Sequence, residues 1–311
     1  MKNKDYSRRE VLKLGGLAGL GLMITPLISS FKHEKTTIML RPIPSSKEKL
    51  PVVGLGTWQT FDVGNSASKR ETLKQVLLEM NKLGGKVIDS SPMYGSSERV
   101  VGDLTQTLDS KDNLFYATKV WTSGENDGII QMERSMQLMQ RKKMDLIQIH
   151  NLVDWKTHVR TLKSWKERSK IRYWGITHYV DSSHNELERI IRSEKPDFVQ
   201  FNYSIRSRNA ERSLFETAGK NETAILVNQP YDSGSLFRLV RGKILPQWCK
   251  EYDINSWGQY FLKFILSNEQ VTCVIPGTSK PHHMIDNMMA GHGKIPDKKT
   301  KEKMYSYLKT L

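Results

Sequence analysis

Val87-Ile-Asp-Ser-Ser-Pro-Met-Tyr-Gly95 opens as a β-branched apolar run and stops abruptly on polar residues and a turn. The same design recurs in Phe115-Tyr-Ala-Thr-Lys-Val-Trp121, in Leu146-Ile-Gln-Ile-His-Asn151 and in Val271-Thr-Cys-Val-Ile-Pro-Gly-Thr-Ser-Lys280. Each reads as a short strand with chemistry at its C-terminal end. Asp89, Tyr94, Lys119 and His150 are spread between positions 89 and 150. They can meet only if successive strands run parallel and finish on one face, where a parallel α/β barrel gathers its reactive groups.

Working outward from these segments, short apolar runs recur at Val53 to Thr57, Val87 to Ser90, Leu114 to Thr118, Leu146 to Ile149, Tyr173 to Thr177, Phe198 to Phe201, Ala224 to Val227 and Thr272 to Ile275. Amphipathic stretches separate them, among them Lys69 to Lys82, Ile129 to Arg141, Thr157 to Lys170 and Asn185 to Arg192. Fully apolar short runs are what strands covered on both faces look like, and alternation with helices selects a parallel sheet. An open doubly wound sheet would place a glycine-rich nucleotide loop after its first strand, and Gly54-Leu-Gly-Thr-Trp58 has the wrong spacing for one. The expected fold is therefore an α/β class (β/α)8 TIM barrel. Thr36 to Arg41 and Lys49 to Val52, flanking Pro42-Ile-Pro-Ser-Ser46, predict an N-terminal hairpin closing one end. The connection from Tyr231 to Val271 exceeds one crossover, contains a helical stretch at Gly258 to Ser267, and is expected to carry lid or cofactor contacts.

The chain has 311 residues and a net charge of +15. Its first 30 residues differ from the rest: Ser7-Arg-Arg-Glu-Val-Leu-Lys13 precedes a Gly- and Leu-rich run from Leu14 to Ile28. This resembles a twin-arginine export signal, with Val11 where phenylalanine is commonest. Gly16 to Gly21 follows no strand and so lacks the context of a dinucleotide loop. The division is residues 1–30 as signal peptide and residues 31–311 as one barrel domain, near the roughly 250 residues usual for that fold. The expected destination is the periplasm or another exported compartment, with the twin-arginine translocase as partner during export and no stable membrane span after processing. Lys and Arg are scattered along polar helical faces, without nucleic-acid-binding signatures, so no nucleic-acid partner is expected. Cys273 lies in a buried-strand pattern, and no structural disulfide with Cys249 is expected in a protein that folds before export.

The four strand-end residues suit one kind of chemistry. Protonating a carbonyl oxygen as hydride reaches its carbon needs a general acid, and a tyrosine, at about 10, holds its proton too tightly unless a cation stabilises the phenolate. Tyr94 and Lys119 fit those parts, Asp89 can keep a buried lysine charged, and His150 offers an imidazole to orient the carbonyl or relay a proton.

On these motifs the chain resembles the aldo-keto reductase superfamily over Leu50 to Leu311. The resemblance implies Asp89, Tyr94, Lys119 and His150 as the catalytic tetrad, Tyr94 being the acid, and NADP(H) bound extended across the C-terminal face of the strands. It assigns the nicotinamide carboxamide to Gln200, with Tyr203 nearby, and to Thr177 and His178, which stand where the family usually has Ser-Asn. The pyrophosphate cover falls on Asn228 to Leu236, including Pro230 and Ser235. Gly277, Thr278, Ser279, Lys280, His283 (where arginine is common) and Asn287 form the adenosine-phosphate end. Hydroxyls with Lys280 suit a 2′-phosphate, hence NADPH over NADH. Trp58, Trp121 and Asn151 line the implied substrate pocket, favouring an apolar or planar carbonyl. The histidines lack metal-ligand spacing, and no metal is proposed.

The expected activity is NADPH-dependent reduction of an aldehyde or ketone, with a small carbonyl or alcohol as partner. The alternative is an NADP(H)-binding redox sensor or structural module with little turnover. A barrel lyase or isomerase would need a carboxylate pair or a metal at the strand ends, and the sequence supplies neither.

Overall fold

The computed structural model describes residues 37–311; the signal peptide expected at residues 1–30 lies outside the described residues. A hairpin, β1 (Leu40–Pro42) and β2 (Lys49–Pro51), comes first. Eight further strands follow: β3 (Leu55–Gly56), β4 (Val87–Asp89), β5 (Phe115–Val120), β6 (Met144–His150), β7 (Ile171–Thr177), β8 (Phe198–Asn202), β9 (Ala224–Asn228) and β10 (Val271–Val274). The crossover helices are α1 (Ala67–Lys82), α2 (Ser97–Thr105), α3 (Glu125–Leu138), α4 (Trp155–Glu167), α5 (His184–Glu194) and α6 (Leu214–Lys220). Then come a short α7 (Ser235–Leu239), α8 (Trp257–Leu266), α9 (Pro281–Met289) and a C-terminal α10 (Lys298–Leu308).

All seven ladders from β3 to β10 are parallel and join neighbours in chain order. Parallel bridges Val53↔Val274 and Gly56↔Gly277 join the first strand to the last. The sheet is thereby a closed (β/α)8 barrel without a free edge, and the observed strands match the eight apolar runs to within a few residues.

The strands' alternation builds the interior in layers. Val87, Phe115, Leu146, Tyr173, Phe198 and Ala224 form one inward layer, packed with Leu226, Cys273 and Ile275. Ile43 and Leu50 of the hairpin join the same cluster and plug the N-terminal end. Each such fully buried aliphatic or aromatic side chain contributes roughly 1.5–3 kcal/mol. Arg41 fixes the plug, its guanidinium donating to the carbonyls of Leu266 at 2.5 Å, Val271 at 2.6 Å and Asn268 at 2.7 Å. Two residues further along β4, β6 and β8, and four along β5, the inward positions turn polar: Asp89, Gln148, Gln200 and Lys119. Gly175 on β7 leaves room for this layer, since a Cβ there would lie 2.8 Å from Phe198 O and 3.3 Å from Gln148 Cγ.

Candidate active site

The polar layer is a buried network around one carboxylate. Lys119 Nζ, with no solvent exposure, donates to Asp89 Oδ2 at 2.5 Å and to Ser90 O at 2.8 Å. Asp89 Oδ1 accepts from Gln148 Nε2 at 2.9 Å and from Gln200 Nε2 at 3.0 Å, while Gln200 also donates to Gln148 Oε1 at 3.1 Å. Asn228 Nδ2 donates to Gln200 Oε1 at 3.2 Å, and Asn228 Oδ1 is buried without a partner. An ionised carboxylate only accepts, so both glutamine amides must turn nitrogen toward Asp89.

Tyr94 enters from the loop after β4. That loop is pinned by Asp62, whose carboxylate accepts from Ser96 N at 2.8 Å and Ser96 Oγ at 2.7 Å. Gly95, at φ +59°, lies so close to this carboxylate that a Cβ would stand 2.4 Å from Asp62 Oδ2. The phenol ring sits with its centroid 5.1 Å from Lys119 Nζ and meets the His150 ring edge-on at 5.8 Å. The structure thus brings Asp89, Tyr94, Lys119 and His150 together at the C-terminal ends of three consecutive strands.

Burial is the largest influence on Lys119, Tyr94 and His150. It pushes Lys119 down, yet Asp89 and Tyr94 together outweigh it and hold the ammonium above its ordinary value. It pushes the Tyr94 phenol up, with Lys119 pulling the other way and Asp89 adding to the rise. The net direction for Tyr94 is upward, opposite to the tuning expected from sequence, because desolvation of the phenolate exceeds the attraction of a cation already neutralised by Asp89. His150 is pushed down to about 2 by burial, then by the charges of Lys119 and His178. Its imidazole is neutral through the physiological range.

Trp58 and Trp121 stand half exposed at the mouth, the Trp121 ring 6.5 Å from that of His150. Trp121 is clamped at its backbone: its N–H donates to Gln131 Oε1 at 2.6 Å and its carbonyl accepts from Gln131 Nε2 at 3.1 Å. Thr122 O bonds His158 Nε2 at 2.7 Å, and Gly124 N–H donates to Asp154 Oδ2 at 2.8 Å. Asn151 follows His150 with φ +52°, in a loop where Leu152 and Asp154 are also left-handed.

The expected cofactor residues line the same end of the barrel. Thr177 ends β7 and is buried; His178 follows, its ring stacked on Tyr179 at 5.5 Å and its Nδ1 accepting from Tyr179 N–H at 3.0 Å. Gln200 has both amide hydrogens committed to the buried layer, so what it can offer a carboxamide is its oxygen. Pro230 is buried, Ser235 opens α7, and Leu236 is fully buried in the apolar core, which leaves its backbone for any contact. Gly277 bridges Gly56, Thr278 Oγ1 accepts from Lys280 N–H at 3.1 Å, and Ser279, Lys280 and His283 are exposed. Asn287 Oδ1 accepts from Tyr231 OH at 2.6 Å, leaving its amide hydrogens to donate. Tyr203 turns away from the mouth: it is buried against Phe215 and Phe264, and its hydroxyl bonds Glu211.

Gln148, Ser91 and Gln131 escaped the sequence reading. Gln148 had a visible signal, a polar residue at inward parity inside the apolar run Leu146 to Ile149. Ser91 and Gln131 act through folded neighbours and leave no pattern of their own.

The profile of the aldo/keto reductase family matches residues 52–303. The chain is 24% identical over 246 residues to methylglyoxal reductase YeaE of Escherichia coli, covering 76% of this chain and 84% of that protein. It is 24% identical over 217 residues to aldo-keto reductase YhdN of Bacillus subtilis, covering 65% and 63%. The holo form of an aldo-keto reductase from Bacillus halodurans superposes with a TM-score of 0.71 at 18% identity, over 87% of this chain and 96% of that one. An aldo-keto reductase from Klebsiella pneumoniae in complex with NADPH gives 0.71 at 19%, over 87% and 95%.

Proposed function

Since the chain belongs to the aldo/keto reductase family, we propose that it is an NADPH-dependent oxidoreductase that reduces an aldehyde or ketone to the alcohol, with Tyr94 as proton donor. One observation carries the assignment of roles. A lysine with no solvent exposure is held as an ammonium by Asp89, beside a tyrosine and a neutral histidine at one barrel mouth. A buried ion pair is a poor route to stability, whereas beside a phenol it supplies a fixed charge exactly where a phenolate would form.

The residues present fit the cofactor. Asn228 Oδ1 is an acceptor that the protein leaves unsatisfied at the strand ends. Ser279, Lys280 and His283 present hydroxyl, ammonium and imidazole groups to solvent around the start of α9. Gln200 with Thr177 and His178 would hold the nicotinamide end, Asn228 to Leu236 would cover the pyrophosphate, and Gly277 to Lys280, His283 and Asn287 would take the adenosine phosphates. Bound there, NADPH would supply a hydride from its nicotinamide ring for the carbonyl carbon. Tyr94 gives its proton to the carbonyl oxygen, and Lys119 stabilises the phenolate left behind. Because a phenol raised by burial resists ionisation, Lys119 works at the moment of transfer, when charge develops on the phenol oxygen, rather than by holding a phenolate beforehand. Trp58 and Trp121 wall the approach and favour a carbonyl with an apolar or planar neighbour. The methylglyoxal reductase name of the Escherichia coli relative makes small 2-oxoaldehydes the first substrates to try.

Fluorescence titration with NADPH and NADH, followed by loss of reduced-nicotinamide absorbance with a panel of aldehydes, tests the reading. Saturable NADPH binding with aldehyde-dependent oxidation is expected. Tyr94→Phe should lose turnover by a factor on the order of 10³ or more while binding NADPH nearly as wild type does. Tight binding with no oxidation of the wild type across the panel would favour a sensor or structural role instead.

A further inference from the structure

Ser91 lies three residues before Tyr94 and is fully buried. Its Oγ stands 2.9 Å from His150 Nδ1 and accepts the backbone N–H of Met93 at 3.3 Å. A serine hydroxyl beside an imidazole is also the geometry of a nucleophile with its base. Ser91 has no exposed surface from which to attack a substrate, so its partnership with His150 serves another end.

The proton positions follow from counting donors and acceptors. The hydroxyl has one hydrogen and two lone pairs. Met93 N–H occupies one lone pair. Were Nδ1 protonated it would occupy the other, and the hydroxyl hydrogen would be buried with no acceptor among the described residues. A buried donor left unsatisfied bears the full penalty of its desolvation. With Nδ1 bare, the hydroxyl donates to it and every group is paired. The imidazolium meets the same objection, with the Lys119 ammonium close by as a second one. His150 Nε2, by contrast, has no hydrogen-bond partner among the described residues, and Tyr94 and Trp121 flank the ring at the mouth.

We propose that Ser91 is a positioning residue that locks His150 in its neutral Nε2–H tautomer, so that the ring presents a single donor to the substrate carbonyl oxygen and cannot pass a proton through Nδ1. The inference rests on the carbonyl-reductase reading for the identity of the group that Nε2 meets. What it adds is the part of Ser91, which fixes the tautomer that lets His150 take the orienting role the family resemblance implies.

The test is a long-range proton–nitrogen correlation spectrum of the full chain labelled with ¹⁵N-histidine, with the His150 signals identified by their loss in His150→Asn. The expected wild-type pattern has an unprotonated Nδ1 and a protonated Nε2. In Ser91→Ala the lock is gone, so the spectrum should shift toward mixed tautomers and kcat should fall about tenfold or more, with NADPH affinity unchanged. Ser91→Cys, whose thiol is a weak donor, should recover part of both. A proton on Nδ1 in the wild type overturns the proposal even if the variants fail to fold. So does Ser91→Ala with the wild-type tautomer and kcat. A wild type that shows the expected tautomer but oxidises no NADPH with any carbonyl overturns the functional reading and the carbonyl role with it, and leaves the tautomer assignment standing.

Discussion

At the scale of single residues, the buried charges dictate what each substitution does. Lys119→Met leaves the Asp89 carboxylate facing two glutamine amides and no cation. Breaking one side of a buried pair destabilises by about 3–5 kcal/mol, whereas replacing both sides by apolar groups is often nearly neutral. Lys119→Met should therefore unfold at clearly lower urea than wild type, and Lys119→Met with Asp89→Leu should regain stability while remaining inactive. Equal destabilisation by the single and double substitutions would contradict this account. His150 gives the pH dependence. Its folded pKa is pushed down to about 2, below the unfolded value of about 6.5. Between those values the unfolded chain binds a proton that the native chain does not. Stability is then lost as pH falls below about 6.5, at up to about 1.4 kcal/mol per unit from this group. His150→Asn should flatten the slope of unfolding free energy between roughly pH 6.5 and 4.5, and an unchanged slope would place the linkage elsewhere. Asp89, Tyr94, Lys119 and His150 were legible in the sequence because each interrupts or follows an apolar run. The direction of the Tyr94 shift was not, since it depends on how much water the fold removes.

At the scale of elements, the strands were the easiest part to read and the connections the hardest. Every apolar run became a strand because burial on both faces leaves no room for polar residues, but β3 shrank to Leu55–Gly56 and continues only as isolated bridges. The short α6 and α7 carried no long apolar period and went unrecognised. What no pattern could show is how one element disciplines another. Gln131 on α3 grips both backbone groups of Trp121 at the end of β5, and His158 on α4 and Asp154 before it grip the next residues. An exposed tryptophan held this way is a preorganised wall. Gln131→Ala should loosen it, raising KM for an aromatic aldehyde several-fold, on the scale of about 1 kcal/mol per lost hydrogen bond. NADPH affinity and the KM for a two- or three-carbon aldehyde should stay as they are. A uniform rise in KM across substrates would show that the clamp serves the whole mouth and not this wall.

At the scale of the whole molecule, the barrel closes without a covalent cross-link. Its two cysteines are buried and unpaired, Cys249 with its thiol pushed up to about 12 by burial and Cys273 raised likewise inside the barrel. Thiolates are the reactive form, so burial keeps both thiols in their unreactive form. A barrel that folds before export can carry its NADP(H) with it. The basic N-terminal stretch with Arg8-Arg9 suits export of a folded protein, and we propose that route. Arg8→Lys with Arg9→Lys should retain the protein in the cytoplasm with its NADPH binding intact, whereas wild type should be recovered outside it with bound nucleotide. Equal distribution of the two would reject twin-arginine export. Recovery of the wild type outside the cytoplasm without nucleotide, though active when NADPH is added, would mean that the barrel is exported empty and its reductant must be supplied there.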